Sequence, residues 1–350
     1  MAGRRTQSAR RRTRRGKPVW EDLPDEALLD LRLCDLGLRV EGTPLESRVE
    51  RLYAELARAG LRFRPHVWLS TAWFSPEGVP GIAIPFYLAH PRLARLERRM
   101  LLQVEGGNRA WCMKLLRHEA GHALDTAWRL RRRRRWRQAF GHAGLPYRAT
   151  YVPDPWSRRF VFHLYHFYAQ SHPVEDFAET FAVWLRPGRR WRARYAGSPA
   201  LRKLEAVDEM VREIAERPPL VRSRERTDEI GSVRTTLREY YRRKRQLYGQ
   251  EDASIYDRDL CHLFSRRPED QRRKPAARFL RERRPELREL VTQWTDQPRF
   301  AVDDVLGALM RRSRALGLHL ARSERESFAG AAVLVAAHAG ERLRHAEYRR

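Results

Sequence analysis

The clearest apolar periodicity in the chain runs through residues 115–128, which read LLRHEAGHALDTAW. Apolar positions from Met113 to Ala127 recur every three or four residues, the spacing of a buried helix face. Asn108 follows a Glu-Gly-Gly turn signal and is a suitable N-cap. The pattern therefore predicts a largely buried helix after Asn108, and we expect the basic run Arg129–Arg137 to continue it.

A second apolar helix is predicted about fifty residues further on, over SHPVEDFAETFAVWL. Pro173 suits the first turn of a helix, and either Ser171 or His172 can cap it. The dipeptide Pro187-Gly188 is a stop signal.

Two short strands are expected between these helices and the N-terminal region. Val67–Phe74 reads as a strand closed by a Ser-Pro-Glu-Gly turn, and Gly81–Tyr87 reads as a second one. Because Pro85 cannot donate to a ladder, the second strand should be an edge strand or contain a bulge. An edge can pair with an extended peptide, although an edge without any binding role fits the pattern equally well.

Helical patterns fill most of the remaining chain, so the predicted class is α+β with a mostly helical C-terminal region. The expected domain organisation is a disordered basic tail at 1–18, a main domain at 19–217 and a helical region at 218–350 that packs on it. The further helical patterns are Trp20–Gly60 with a break at Gly42–Pro44, Pro91–Val104, Phe160–Gln170, Val233–Leu247, Ala276–Trp294, Val302–Leu316 and Glu324–Arg349.

The first helix carries an H-E-x-x-H motif at His118, Glu119 and His122. Residues four apart lie on one helix face, so both imidazoles can bind one metal ion. Glu119 is then placed to take a proton from water. Two histidines and a glutamate can also be ordinary surface residues, but two histidines on a buried face need a partner. We therefore predict a zinc site.

Zinc requires at least one further protein ligand. The extended motif with a third histidine is excluded, since position 128 is Trp. Glu175 and Glu179 lie four apart on the second helix, where burial of both is costly unless they meet cations or metal. Both carboxylates are compensated if Glu175 binds the metal and Glu179 forms a hydrogen bond with a ligand histidine. The alternative is that the two glutamates pair with arginines. The other candidates are His142, His163, His166, His172 and Asp176.

Asp125 lies one turn beyond His122 on the same helix face. It can support that histidine through a hydrogen bond, or form an ordinary pair with Arg129. The sequence does not distinguish these two roles.

The two helices together resemble the bacterial zinc-binding metallopeptidases of the gluzincin type. The resemblance extends through LRLCDLGLRVEGTPL, PGIAIPFYLAHPRL and VEGGNRAWCMKLLRHEAGHA, and so covers most of residues 25–300. It implies a zincin-like domain with a small mixed sheet and an edge strand, zinc bound by His118, His122 and Glu175, and Glu179 behind a ligand histidine. In one gluzincin toxin a tyrosine seven residues before the ligand glutamate assists the reaction. That position is Tyr168 here, with Tyr165 one turn earlier as the alternative.

Many members of that family carry an N-terminal zinc ribbon, whereas this chain has an arginine-rich tail. The formal net charge is +27, and 66 of the 71 basic residues are arginine. A GC-rich genome can produce this bias, but a basic tail can also bind nucleic acid or another polyanion. The main hypothesis is a zinc metallopeptidase acting on a protein or peptide, with Glu119 as general base. The alternative is a nucleic-acid-binding protein with a structural or silent zinc.

Three widely spaced cysteines form no C-x-x-C pair, which fits a reducing compartment. No run of eighteen apolar residues is present, and no apolar segment follows the N-terminal arginines. We therefore expect a cytoplasmic protein that does not enter a membrane.

Overall fold

The computed structural model describes residues 18–101, 103–147, 151, 154, 156–188, 190–246, 256–295 and 297–347. The chain forms two compact units. The first contains the residues up to Glu97 together with Val104–Glu239, and the second contains Arg98–Gln103 together with Tyr240–Arg350. Except for Pro18, the predicted basic tail lies outside the described residues. The architecture is mixed α and β, with helices predominating and small sheets.

The first unit is built from helices around one two-stranded sheet. Short 3-10 turns occur between them, as at Tyr165–Gln170, where the sequence pattern predicted a longer helix from Phe160. The α-helices that lie in this unit or begin in it are α1 (Asp25–Leu29), α2 (Pro44–Arg58), α3 (Pro91–Leu101), α4 (Arg109–Trp128), α5 (Arg134–Phe140), α6 (Pro173–Leu185), α7 (Trp191–Arg194), α8 (Pro199–Ile214) and α9 (Leu237–Gln246).

Helices α4 and α6 begin where local capping signals place them. The Asn108 side chain accepts a hydrogen bond from the Trp111 amide, and the His172 ring accepts one from the Val174 amide. The two helices cross closely at Gly121. A Cβ atom added there would lie 2.9 Å from Cα of Ala178, so the absence of a side chain permits the contact. This crossing brings the two predicted groups of site residues together.

The other face of α4 is fixed to α2 by a buried ion pair. Arg117 donates from Nε and Nη2 to the two carboxylate oxygens of Glu55, at 2.7 and 2.9 Å. Such a two-point contact fixes direction as well as distance. Helix α4 is therefore held from two sides and is buried over most of its circumference.

Helix α4 ends at Trp128 and does not continue into the basic run, contrary to the expectation. Arg129 has a left-handed conformation with φ of 51°, which ends the helix. A short 3-10 turn follows, and α5 begins only at Arg134. Two hydrogen bonds from Arg131 to the Asp125 side chain, at 2.6 and 2.7 Å, stabilise this ending.

The sheet of the first unit differs from the predicted one. Strand β1 (His66–Ser70) pairs in parallel with β2 (Gly81–Pro85), and β1 is shorter than the predicted Val67–Phe74. The chain leaves β1 after Ser70 and returns along the opposite side of β2, where Phe74 pairs with Ala83. The Ala83 amide donates to the Phe74 carbonyl at 2.8 Å.

The predicted open edge of β2 is therefore occupied by the chain itself. All five residues of β2 are buried, and the Ser75 hydroxyl lies 2.8 Å from the Gly81 carbonyl oxygen. Residues 86–89 form a 3-10 turn, so Tyr87 is not part of the strand. The idea that a substrate pairs with the Gly81–Tyr87 edge is wrong for this arrangement.

Residues 217–229, which we call the strap, belong to the first unit although a domain boundary was placed at Pro218. The strap is held by side chains of other segments that donate to its backbone carbonyls. Trp128 Nε1 donates to Arg217 O at 3.2 Å, and Trp68 Nε1 donates to Thr227 O at 2.9 Å. These contacts join segments that are far apart in the sequence, so the local pattern around Pro218 and Pro219 does not reveal them.

The second unit is a helical assembly around one apolar core. A two-residue antiparallel pair joins β3 (Phe264–Ser265) to β4 (His319–Leu320). The predicted helix Ala276–Trp294 is divided at Arg283, where Pro285 begins a new first turn. No described helix of the chain combines the length and apolarity needed to cross a membrane. The α-helices that lie entirely in this unit are α10 (Asp257–Leu263), α11 (Ala276–Glu282), α12 (Arg284–Trp294), α13 (Arg299–Ala315) and α14 (Glu324–Glu347).

Candidate metal centre

The two motif histidines meet on the face of α4 that is turned towards α6. Nε2 of His118 and Nε2 of His122 are 3.0 Å apart, and His118 is buried. The rings are nearly perpendicular, with an interplanar angle of 80°. The helical spacing of four thus brings both nitrogens to one point, as the motif predicts.

Glu175 of α6 completes a triangle with these nitrogens. Its Oε2 atom lies 3.1 Å from Nε2 of His118 and 3.1 Å from Nε2 of His122. A carboxylate oxygen and a neutral imidazole nitrogen without hydrogen are both acceptors. Three such atoms at this separation require a cation between them, either a proton or a metal ion. Within the described part of the chain, neither Glu175 nor Glu179 pairs with an arginine.

Glu179 orients His118 from behind. Nδ1 of His118 donates to Oε1 of Glu179 at 2.9 Å, and the Leu164 amide donates to Oε2 at 2.8 Å. Burial alone raises the pKa of Glu179, but the bonds from His118 and Leu164 outweigh it and the pKa is lowered. An ionised Glu179 fixes the hydrogen of His118 on Nδ1 and leaves Nε2 to face the triangle.

The charges of the triangle are strongly coupled. Burial lowers the pKa of His118, but the hydrogen bonds to Glu175 and Glu179 prevail and raise it well above its ordinary value. Glu175 changes in the opposite direction: burial raises its pKa, and the two histidines together lower it well below the usual range. A positive charge is therefore favoured between the two histidines and Glu175, and Glu175 keeps its negative charge.

Glu119 lies next to the triangle without a complete set of hydrogen bonds. It is buried, and its Oε2 atom has no hydrogen-bond partner in the described structure. Burial raises the pKa of this carboxyl group, and the nearby histidines only partly offset the effect. The Ser75 hydroxyl lies 3.0 Å from the backbone oxygen of Glu119 and so connects the β2 edge to α4. A partnerless buried carboxylate oxygen needs a ligand or a water molecule.

Two tyrosines border the triangle. Tyr168, chosen by the sequence likeness, lies with its ring centroid 5.7 Å from that of His118. Tyr147, which the sequence reasoning missed, donates its hydroxyl to Oε1 of Glu175 at 2.8 Å and stacks on His172 at 3.9 Å. Burial raises the pKa of the Tyr168 phenol. Desolvation of the hydroxyl and the charge of Glu175 raise the pKa of Tyr147, although that residue is 60% exposed, so both phenols remain hydrogen-bond donors at neutral pH. Tyr147 stands in a loop without periodicity, and no local signal marks it.

Asp125 forms its ion pair with Arg131 and not with Arg129. Both of its carboxylate oxygens accept from Arg131, one from the backbone amide and one from Nε. Arg129 is instead the left-handed residue that ends α4. Asp125 therefore contributes to the helix terminus, and its placement beside a ligand histidine stays a prediction without a direct contact.

The other candidate ligands are used elsewhere or lie outside the described side chains. His163 contacts the Lys114 carbonyl at 3.0 Å, and burial lowers its pKa to about 4. His172 caps α6, and Asp176 binds Lys203 at 2.5 Å. Among the described residues, the group whose ligand atoms converge is His118, His122 and Glu175. The side chains of Tyr165 and His166 lie outside the described set, and His142 is exposed.

The donor set fits zinc. Two imidazole nitrogens and one carboxylate oxygen are common ligands of catalytic zinc sites, which leave one position for water or substrate. Tetrahedral ligand atoms bound at about 2.0 Å lie about 3.3 Å apart. The triangle of 3.0–3.1 Å therefore needs to widen by only a few tenths of an ångström. The buried oxygen of Glu119 that has no hydrogen-bond partner suits a water molecule.

Comparison with known proteins gives no further assignment. No known protein family matches the chain, no functionally described protein is significantly similar to it, and no solved structure matches it. The site must therefore be interpreted from its own geometry.

Proposed function

We propose that this chain is a zinc-dependent peptidase whose metal is held by His118, His122 and Glu175. The observation that carries the proposal is the convergence of these three ligand atoms beside the partnerless carboxylate oxygen of Glu119. The resemblance to gluzincins supports the same assignment, since an H-E-x-x-H helix and a later glutamate helix supply the ligands in that group. A zincin-like fold for the first unit is part of this proposal.

Zinc bound at this site would lower the pKa of a water molecule and polarise the scissile carbonyl. Glu119 accepts the proton of the attacking water on Oε2 and then donates it to the departing amine. Burial raises the pKa of Glu119, which makes its carboxylate a stronger base than an exposed one. The water oxygen forms a bond to the carbonyl carbon, and the C–N bond breaks as nitrogen receives the proton.

The remaining side chains position this machinery. Glu179 holds the His118 ring so that Nε2 faces the ion. Tyr147 holds Oε1 of Glu175 and thereby directs Oε2 towards the histidines. Tyr168 supplies a phenol hydroxyl for the oxyanion, a contact worth about 3–4 kcal/mol in other hydrolases.

The test separates metal binding from catalysis with one conservative substitution. Glu119→Gln removes the base but none of the three ligands, so we expect about one zinc per chain by elemental analysis. Cleavage of a quenched-fluorescence peptide mixture and of denatured casein should fall about 10²–10⁴-fold, the usual contribution of general acid–base catalysis.

The matched control is Glu205→Gln, which changes an exposed carboxylate on α8 and should leave both readings unchanged. Turnover by Glu119→Gln at the wild-type rate would refute its role as base. A zinc-loaded wild-type chain that cleaves neither peptide nor casein would count against the peptidase assignment while leaving the metal site intact.

A further inference from the structure

A groove of about 800 Å³ lies in the first unit, away from the metal centre. It is lined by the extended segment 61–66, by the beginning of the strap, and by Trp128 at the end of α4. Trp128 lies six residues beyond His122, about 9 Å further along the helix. We call this feature the basic groove.

Arginine dominates the lining of the basic groove. Glu216 is the one acidic residue among the lining residues. The arginines that line it are Arg62, Arg64, Arg217, Arg222 and Arg224.

These groove arginines differ from many others in the chain because they are exposed and form no ion pair with any described carboxylate. Elsewhere arginines with partners are frequent, as at Arg117 with Glu55, Arg131 with Asp125 and Arg284 with Asp303. Like charges placed together without carboxylates repel one another. Binding of an anion relieves this repulsion, so the groove has the electrostatic character of an anion site.

The backbone arrangement sets the arginines in two neighbouring rows. His66 Nε2 contacts Glu225 O at 2.9 Å, and Ser70 Oγ donates to Asp228 O at 2.8 Å, so the segments run in the same direction. Arg62 and Arg64 alternate on one extended segment, and Arg222 and Arg224 alternate on the other. Residues two apart in extended chain are about 6.6 Å apart. Each segment thus carries two exposed arginines separated by one residue, and both pairs line the same groove.

We propose that the basic groove binds the phosphodiester backbone of single-stranded nucleic acid. Guanidinium groups form paired hydrogen bonds with phosphate oxygens, and several of them along one groove can contact successive phosphates of a strand. Phe63 also lines the groove and packs edge-on against the buried Trp128 at 5.2 Å, which holds the segment that carries Arg62 and Arg64 in place. A concave groove receives a strand, whereas proteins read duplex DNA with protruding elements.

The test uses the full-length chain and a fluorescein-labelled 20-nucleotide oligo(dT), with binding measured by anisotropy from 50 to 200 mM salt. The groove variant is Arg62→Gln/Arg64→Gln/Arg222→Gln/Arg224→Gln. The control variant removes the same charge at four exposed arginines outside the groove, Arg39→Gln/Arg159→Gln/Arg202→Gln/Arg234→Gln. Both variants retain the basic N-terminal residues.

We expect the groove variant to bind at least tenfold more weakly at 100 mM salt, and the control variant to stay within threefold of wild type. Each lost phosphate contact should reduce the slope of log K against log salt by about 0.7, and four contacts by about 2.8. Peptide cleavage should be the same in all three proteins, so failure here is distinct from failure of the peptidase proposal.

Equal losses in the two variants would overturn the proposal, because overall charge would then explain binding. Equal affinity for a 20-residue poly-glutamate peptide would overturn it in favour of an acidic protein segment. Tighter binding of a duplex of the same length would also overturn it. If the fourfold groove variant fails to fold by circular dichroism, Arg222→Gln/Arg224→Gln against Arg39→Gln/Arg234→Gln makes the same comparison with fewer changes.

Discussion

The crossing of α4 and α6 buries charge, whereas the helices of the second unit bury mainly apolar side chains. At the crossing, His118, Glu119, Glu175 and Glu179 are all buried. In the second unit the helices pack through leucine, valine, alanine and phenylalanine, and the buried carboxylate of Asp303 is paired with Arg284. Two helix assemblies in one chain thus use opposite kinds of interior.

The comparison of the two regions shows that the α4–α6 crossing buries charged groups at a cost in folding free energy. Placing a carboxylate or an imidazolium in a protein interior is expensive unless a partner or metal compensates it. In the second unit the buried Asp303 and His338 each have a charged partner, and most of the packing is apolar. The concentrated charge at the crossing is therefore better explained by chemistry than by folding, and substitutions in the two regions should have separable effects.

The largest effect is expected from Glu175→Ala, which removes one corner of the triangle. Loss of an outer-sphere partner already reduces metal affinity about 10–100-fold, so loss of the ligand itself should exceed about 100-fold. Zinc affinity is measured by competition with a chromophoric chelator. Glu205→Ala, on the exposed face of α8, is the control. A Glu175→Ala affinity within threefold of wild type would remove Glu175 from the site.

The second effect tests the apolar interior. Leu306 of α13 is fully buried, so Leu306→Ala should lower the free energy of unfolding of the second unit by about 2–5 kcal/mol in urea titrations. Zinc affinity should not change. Leu290 is 36% exposed, and Leu290→Ala should cost no more than about 0.5 kcal/mol. A parallel loss of zinc in Leu306→Ala would contradict the separation of the two regions.

The third effect concerns the closeness of the helices. Gly121→Ala places a methyl group 2.9 Å from the Ala178 backbone, so the helices must separate and the chain should lose about 1–3 kcal/mol. The ligands move apart with them, and zinc binding should weaken. Gly307→Ala on α13 is the matched control, since its nearest neighbour is the flexible end of Arg311 at 3.4 Å. We expect that control to be neutral or slightly stabilising. Unchanged zinc affinity in Gly121→Ala would show that the crossing distance does not control the site.

The smallest effect is expected from Tyr147→Phe, which keeps the ring on His172 and removes the bond to Glu175. Zinc affinity should fall about tenfold, as for other groups that orient a ligand. Tyr53→Phe also loses one hydroxyl bond, to the Pro65 carbonyl at 2.7 Å, but far from the metal centre. Equal zinc affinities in these two variants would deny Tyr147 a role in positioning Glu175.

The site residues that could be predicted from the sequence are those fixed by local periodicity. His118 and His122 are one helical turn apart, and Glu175 and Glu179 repeat that spacing on α6, so each pair is placed by its own helix. Capping signals at Asn108 and His172 gave both helix starts correctly. The meeting of the two helices also depends on Gly121, which a single sequence does not mark as a contact.

The features that could not be predicted depend on contacts between distant segments. Tyr147 reaches Glu175 from an irregular loop, and Phe74 closes the edge of β2 after a reversal of the chain. The sequence predicts a longer α4 because arginines near a C-terminus are compatible with continued helix. The left-handed Arg129 and the Asp125–Arg131 contact instead end the helix at Trp128. The predicted boundary between residues 217 and 218 differs from the end of the first unit, because the strap is bonded to side chains of β1 and α4.

The contact between Gly121 and the backbone of Ala178 also bears on which ions can be accommodated. Because main-chain atoms form this contact, the separation of the two helices cannot change through rotamer changes, and only the ligand side chains can adjust the triangle. Calcium takes six to eight oxygen ligands at about 2.3–2.6 Å and would demand both a wider opening and more oxygens. If the site holds a metal ion as proposed, the close crossing at Gly121 and the two nitrogen ligands should favour a small ion such as zinc over calcium.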